Sequence, residues 1–280
     1  MTESFQTTAG RTLTYRREGD GPLLVCHPGG PGFSSRYFAD LANLGDAFTL
    51  ILLNPRGTAE SDRPDDVRAY TTSDYVADVE ELRTHLGAEQ LDLLGHSHGG
   101  VVAMGYAAEH PDRVRRLIAA NSLARIRPDE MEPAMETRSA EPWYADAREA
   151  LEQEDAGAYE TEEELAALTS RFFPFYFAHF DDKARAYLDE HVAPERPNPD
   201  ALKLFNDGIE NWDLRPDLAR ITAPTLVITG DADFITGPEC ARDIGGGIAN
   251  ANVVIIEDCG HFTFIEHPAR FRAEVTRFLS

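Results

Sequence analysis

A chain of 280 residues, 42% hydrophobic and 27% charged, is long enough to bury a large core as one sizeable domain or a domain with an insertion. Its net charge of -23, with Lys183 and Lys203 the only lysines, argues against nucleic acid as a partner, because phosphate binding needs clustered Lys and Arg. No apolar run approaches the roughly 20 residues needed to cross a bilayer, and Cys26, Cys240 and Cys259 form neither a disulfide framework nor a CxxC pattern, so no membrane, no metal and a reducing cytoplasm are expected.

The N-terminal MTESFQTTAG has neither the basic nor the apolar region of an export signal. The alternating stretch TTAGRTLTYRREGDG predicts a hairpin around Ala9-Gly10. Apolar runs at 23–26 and 49–53 read as buried strands, and Ser73 or Asp74 is placed to cap a helix through Val76, Val79, Leu82 and Leu86. A third strand at 91–94 leads into a small, apolar helix at 99–109 that ends at His110-Pro111, followed by a strand at 117–120. Further strands are predicted at 225–229 and 253–256, and a last helix over Pro268–Leu279 places Phe271, Val275 and Phe278 on one face. Continuous rather than alternating apolar strands suit a mostly parallel sheet covered on both faces, and their alternation with helices implies right-handed crossovers.

The stretch from about 124 to 213 differs. It holds 23 acidic and 9 basic residues, lacks strand-like runs and reads as helices. It also carries RFFPFYFAHF, a dense aromatic cluster. The expected organisation is therefore a core of residues 1–123 and 214–280 with a helical, acidic cap of 124–213 lying over the sheet like a lid. Phe172, Phe173 and Phe177 of the cap, with Phe33 and Phe234 of the core, are expected to line a substrate pocket, although the same aromatics can simply glue the cap down.

The chemistry begins at Gly95-His96-Ser97-His98-Gly99, a G-x-S-x-G pattern between a strand and a helix. A sharp strand-to-helix turn tolerates no bulk beside it, hence the glycines. It projects Ser97 at a helix N-terminus, where developing negative charge is favoured. A nucleophilic serine needs a base and an orienting acid. His261 follows the last core strand in a Gly-His turn. Asp233 lies three residues beyond Gly230 after the preceding strand, with Asp231 assigned to the loop's own hydrogen bonding. The turn CHPGGPGFSS after the first core strand lets backbone N–H groups approach a substrate oxygen. Gly30, or Gly29 in its place, would supply one oxyanion donor and His98 the other. His96 is expected to pack beneath the turn.

Taken together, GGPG, NPRGTAESDRP, GHSHGG, Gly230-x-x-Asp233 and Gly260-His261 resemble the α/β-hydrolase superfamily, in the chain order Ser97, Asp233, His261. Within it the chain is most similar to the proline iminopeptidase-like branch, whose signature is HGGPG. WDLRPDLARITAPTLVITGDAD and VVIIEDCGHFTFIEHPARFRAEVTRFL extend the likeness through the core, whereas the acidic cap matches only in position and helical character. The resemblance implies an α/β-hydrolase fold with a mostly parallel sheet flanked by helices and a helical cap. It implies a serine hydrolase that needs no cofactor and cleaves a small amide or ester through an acyl-enzyme. Two departures stand out. Pro28 occupies the place of the histidine before GGPG, with His27 one residue earlier, and Phe234 stands where some peptidase members carry a glutamate beside the catalytic Asp. Peptidase members hold the substrate's α-ammonium with lid or loop glutamates, a role that no cap residue receives from the sequence. A small molecule or short peptide is thus the expected substrate, through an aminopeptidase of the iminopeptidase type or through a carboxylesterase or lactonase. A non-catalytic binding protein on the same fold would carry a broken triad.

Overall fold

The computed structural model describes residues 2–208 and 212–280; residues 209–211 of the expected cap lie outside the described residues. Among the described residues eight strands form one sheet: β1 (Thr2–Gln6), β2 (Thr12–Glu18), β3 (Leu23–His27), β4 (Thr49–Asn54), β5 (Leu91–His96), β6 (Val114–Ala120), β7 (Thr225–Gly230) and β8 (Ala251–Ile256). Their order across the sheet is β1-β2-β4-β3-β5-β6-β7-β8. The expected hairpin is β1–β2, which joins the sheet antiparallel to β4, and every later pairing is parallel.

The continuous apolar runs follow from burial on both faces. Val25, Ile51, Leu53, Leu93 and Leu117 point to one face, beneath α1 (Thr72–His85) and α2 (His98–Glu109). Leu24, Cys26, Leu50, Leu52, Leu94 and Ile118 point to the other. The period of two is therefore present but hidden, because each face meets an apolar partner.

The capping residue of α1 differs from the expected Ser73 or Asp74. It is Thr71, whose hydroxyl accepts the Asp74 N–H at 3.2 Å while the Asp74 carboxylate accepts the Thr71 N–H at 3.0 Å. Reciprocal pairing satisfies two orphan donors at once, which neither expected cap would do.

Between β6 and β7 the chain leaves the sheet and forms α3 (Pro128–Glu136), α4 (Tyr144–Asp155), α5 (Glu162–Phe172), α6 (Asp182–Tyr187), α7 (Pro199–Gly208) and α8 (Arg215–Leu218). Met135, Ala147, Ala150, Leu165 and Phe175 build a separate apolar cluster there, which Phe234 enters from the loop after β7. The chain then continues through α9 (Pro238–Gly247), α10 (Thr263–Glu266) and α11 (Pro268–Leu279). Helix α11 lies on the second face through Phe271, Val275 and Leu279, with Phe278 half-buried beside them. Among the described residues no helix is long and apolar enough to cross a membrane.

Candidate active site

Strands β3, β5, β6 and β7 run in the same direction, so their carboxyl ends gather one set of loops. Ser97 joins β5 to α2 with φ 56° and ψ -125°, a conformation that a non-glycine residue adopts only when its surroundings hold it there. Those surroundings are well defined. The Ser97 N–H donates to the Ala120 carbonyl at 3.0 Å, and its own carbonyl accepts from Gly100 N–H at 2.9 Å and the Ser122 hydroxyl at 2.8 Å. A Cβ on Gly95 would lie 2.1 Å from the Gly99 carbonyl oxygen, and one on Gly99 would lie 2.2 Å from that of His27. Both glycines are thus required by close backbone approach. Of residues 91–100, only Ser97 is not fully buried.

His261, after β8, and Asp233, after β7, meet at 2.9 Å between Nδ1 and Oδ2. Since an ionised carboxylate only accepts, Nδ1 carries the proton and Nε2 is left as the basic nitrogen. Both side chains are buried. Burial by itself would raise the Asp233 pKa, but His261 and the Thr236 hydrogen bonds outweigh it and hold the carboxyl below its ordinary value. Asp233 Oδ1 accepts the N–H groups of Ile235 (3.1 Å) and Thr236 (3.0 Å), while Oδ2 accepts the Thr236 hydroxyl (2.5 Å) and the Asn121 amide (3.0 Å). Asp231 instead accepts the Cys259 N–H at 3.3 Å within the loop.

The turn after β3 closes on Ser97, for a Cβ on Gly29 would lie 2.7 Å from the Ser97 Cβ. The Gly29 N–H is already donated to the Tyr37 hydroxyl. Among the described residues, the N–H groups of Gly30 and His98 have no acceptor in the protein. Both residues line the same cavity as Ser97, and His98 is the first residue of α2, where helix geometry provides no partner for its N–H.

Ser97, Gly30, His98 and His261 line one cavity of about 740 Å³. Of the expected pocket residues, Phe33, Phe172, Phe173 and Phe234 line it too. Phe177 does not. The chain turns extended at Phe177 after the short helical turn Phe173–Tyr176, which directs its ring into the core against Phe173, Tyr187 and Phe262. The His98 ring packs edge-on against Tyr75 and Phe205, and burial pushes its pKa down to about 3, so it is a neutral wall. Glu154 and Asp155, at the end of α4, lie on the same cavity. Among the described residues the Glu154 carboxyl forms no ion pair; it accepts the Asn206 amide at 3.2 Å and shares a side-chain hydrogen bond with Asp155. Burial, with the charge of Asp155 adding, pushes Glu154 up to about 7. No group of three or more His, Cys, Asp or Glu among the described residues is arranged to hold a metal ion.

Comparison with known proteins places this geometry. The sequence profile of the alpha/beta hydrolase fold matches residues 22–268. The chain belongs to the alpha/beta hydrolase fold family. This hydrolase is 28% identical over 272 residues to the proline iminopeptidase PfmaB of Pestalotiopsis fici, with 94% of each chain covered. It is 27% identical over 288 residues to the proline iminopeptidase of Saccharolobus solfataricus, covering 95% of this chain and 87% of that one. Among solved structures, the enol-lactonase of Burkholderia xenovorans superposes with a TM-score of 0.74 at 25% identity over 99% of both chains. The fold class and the resemblance to the iminopeptidase-like branch are thereby borne out.

Sequence reasoning missed several residues of the hydrolase's site. Thr236 had a local signal, a hydroxyl three residues after an aspartate in a turn. Asn121 had a weaker one, a polar residue directly after a buried strand at the shared sheet edge. Asn121 is wholly buried and also donates to the Gly260 carbonyl at 3.2 Å and accepts the Thr263 hydroxyl at 2.8 Å. Tyr176 had none within its aromatic cluster, yet its carbonyl accepts the His261 N–H at 2.6 Å and its ring lies 5.1 Å from the imidazole.

Proposed function

We propose that this hydrolase cleaves a small amide through a covalent acyl-enzyme, as an aminopeptidase of the proline iminopeptidase type. The observation that carries the reaction is the strained Ser97 at the start of α2, on one cavity with His261, whose Nδ1 is held by Asp233. Ser97 Oγ attacks the acyl carbon and its proton passes to His261 Nε2. Asp233 keeps the imidazole in the required tautomer and balances the imidazolium. The oxyanion is met by the N–H groups of Gly30 and His98; one such donor supplies about 10²–10³ in rate. His261 then returns the proton to the leaving amine, and water repeats the sequence on the acyl-enzyme.

Glu154 supports the amine-bearing substrate. Burial favours the protonated form of Glu154, and a substrate α-ammonium in the cavity would offset the cost of ionising it. The segment 124–213 then acts as the cap that supplies this wall. Three unpaired, buried cysteines fit a cytoplasmic setting, with a short peptide or small molecule as the only partner needed.

A second reading, an esterase or lactonase for small acyl groups, is favoured by the aromatic walls Phe33, Phe172, Phe173 and Phe234 and by the likeness to the enol-lactonase. Prolyl- and alanyl-arylamides, free and N-acetylated, are compared with p-nitrophenyl acetate and butyrate. Arylamide turnover that disappears on N-acetylation and rises in KM with Glu154→Gln supports the peptidase. Turnover of esters alone assigns the second reading. Ser97→Ala abolishes both turnover and labelling by a serine-directed phosphonate; an active variant sinks the mechanism.

A further inference from the structure

His96 precedes the nucleophile and lies wholly within the protein, where burial alone accounts for a small aromatic. Its hydrogen bonding shows more. His96 Nε2 lies 2.9 Å from the His261 carbonyl oxygen, and Nδ1 lies 2.9 Å from the Tyr37 hydroxyl. The Tyr37 hydroxyl also receives the Gly29 N–H.

The chemistry of the groups permits one proton arrangement. A carbonyl oxygen only accepts, so Nε2 carries the hydrogen, and a neutral ring then has its lone pair on Nδ1. Tyr37 must donate to that lone pair, which leaves its oxygen free to accept from Gly29. Burial pushes the His96 pKa down to about 3, with the nearby charge of His261 adding, so the ring stays neutral while His261 gains and loses its proton. The tautomer and direction of each bond are thus constant through turnover.

We propose that Tyr37 and His96 form a fixed hydrogen-bond link that positions the oxyanion turn against the base loop, making both of them positioning residues for hydrolysis. This inference rests on the serine hydrolase reading above. The link begins at Gly29, next to the donor Gly30 and against Ser97, and ends on the backbone of His261. The other end of His261 is held by the Tyr176 carbonyl at 2.6 Å. His261 therefore has its N–H fixed from the cap side and its carbonyl fixed from the nucleophile's own strand. By consuming the Gly29 N–H, the link also determines which glycine is left to face the substrate oxygen.

The test is a double-mutant cycle on Tyr37→Phe and His96→Phe, with His96→Gln as the conservative variant. Tyr37→Phe removes one oxygen and keeps the ring, so it is the variant most certain to fold; thermal melts and phosphonate titration of active sites count folded, competent protein in each sample. Per titrated site, each single variant is expected to lose roughly tenfold to a hundredfold in kcat with KM within about threefold, less than outright removal of an oxyanion donor. The double variant should lose little more than the worse single variant, and His96→Gln, which keeps one donor and one acceptor, should recover part of the loss. Unchanged kcat per titrated site, or losses that multiply in the double variant, would overturn the link and leave His96 as packing. Phosphonate labelling of wild-type Ser97 is read first. If Ser97→Ala keeps full turnover, the serine hydrolase reading fails by itself, separately from any result at Tyr37 and His96.

Discussion

Asn121 donates its side-chain amide to Asp233 Oδ2 at 3.0 Å, joining the end of β6 to the loop after β7 in a contact wholly within the protein. The same amide reaches the Gly260 carbonyl, so one side chain holds the loops of both the acid and the base. Asn121→Ala leaves the Thr263 hydroxyl without its acceptor and costs about 1–3 kcal/mol for each buried group stranded. Urea unfolding should show the loss of stability, and kcat should fall alongside it.

Thr236 bears on the chemistry more than on the fold. Its hydroxyl donates to Asp233 Oδ2 and lies 3.0 Å from His261 Nδ1. Thr236→Val keeps the shape and removes both contacts. A kcat loss of roughly tenfold is expected, a fraction of the 10²–10⁴ that general acid–base catalysis supplies. KM should stay near the wild-type value in steady-state assays.

Gly260 admits no side chain. A Cβ there would lie 2.4 Å from the Tyr176 carbonyl oxygen and 2.7 Å from the Ala178 nitrogen, both backbone atoms of the segment between β6 and β7. Glu266 clamps the same place, accepting the N–H groups of Gly260 and Ala178 at 2.8 Å each. Gly260→Ala must part the two segments and should cost about 1–3 kcal/mol as an overpacked site. It should also reduce turnover, because the next residue is His261. Wild-type activity and melting temperature in this variant would contradict the packing.

Stability should fall as pH rises toward neutrality. Glu154 keeps its proton in the folded chain up to about pH 7, whereas its ordinary value is 4.5; burial is the main cause and Asp155 adds to it. Between those values the folded form binds more protons than the unfolded one, so stability is greatest below the window and declines through it. Glu266, pushed up to about 7 by burial, acts in the same direction. Melting temperatures at about pH 5 and about pH 8 should differ less in Glu154→Gln than in the wild type.

Much of this protein was legible in one dimension. Burial on both faces makes strand residues continuously apolar, so β3, β4, β5 and β7 could be read from their apolar runs, short only of their last one or two residues, while β6 begins three residues earlier than its run at 117–120. The G-x-S-x-G pattern carries its own mechanics, because Gly95 and Gly99 are imposed by backbone atoms a few residues away or on the adjoining strand. Phe172 and Phe177 show where such reading stops. Five residues apart in one aromatic run, they face cavity and core respectively, and only the path of the chain after Tyr176 separates them.

The sequence by itself determined the strands of the parallel sheet, the turn at Ser97 and the expectation of Asp233 and His261 as its partners, since each rests on local geometry or on continuous apolar runs. Tertiary structure decided which glycine N–H is taken by Tyr37, what holds Asp233 and which carboxylates reach the cavity. Those outcomes depend on contacts between side chains far apart in the chain, 59 residues for Tyr37 with His96 and 112 for Asn121 with Asp233. A hydrogen bond needs its two atoms within about 3 Å, and no periodicity in the sequence encodes that meeting.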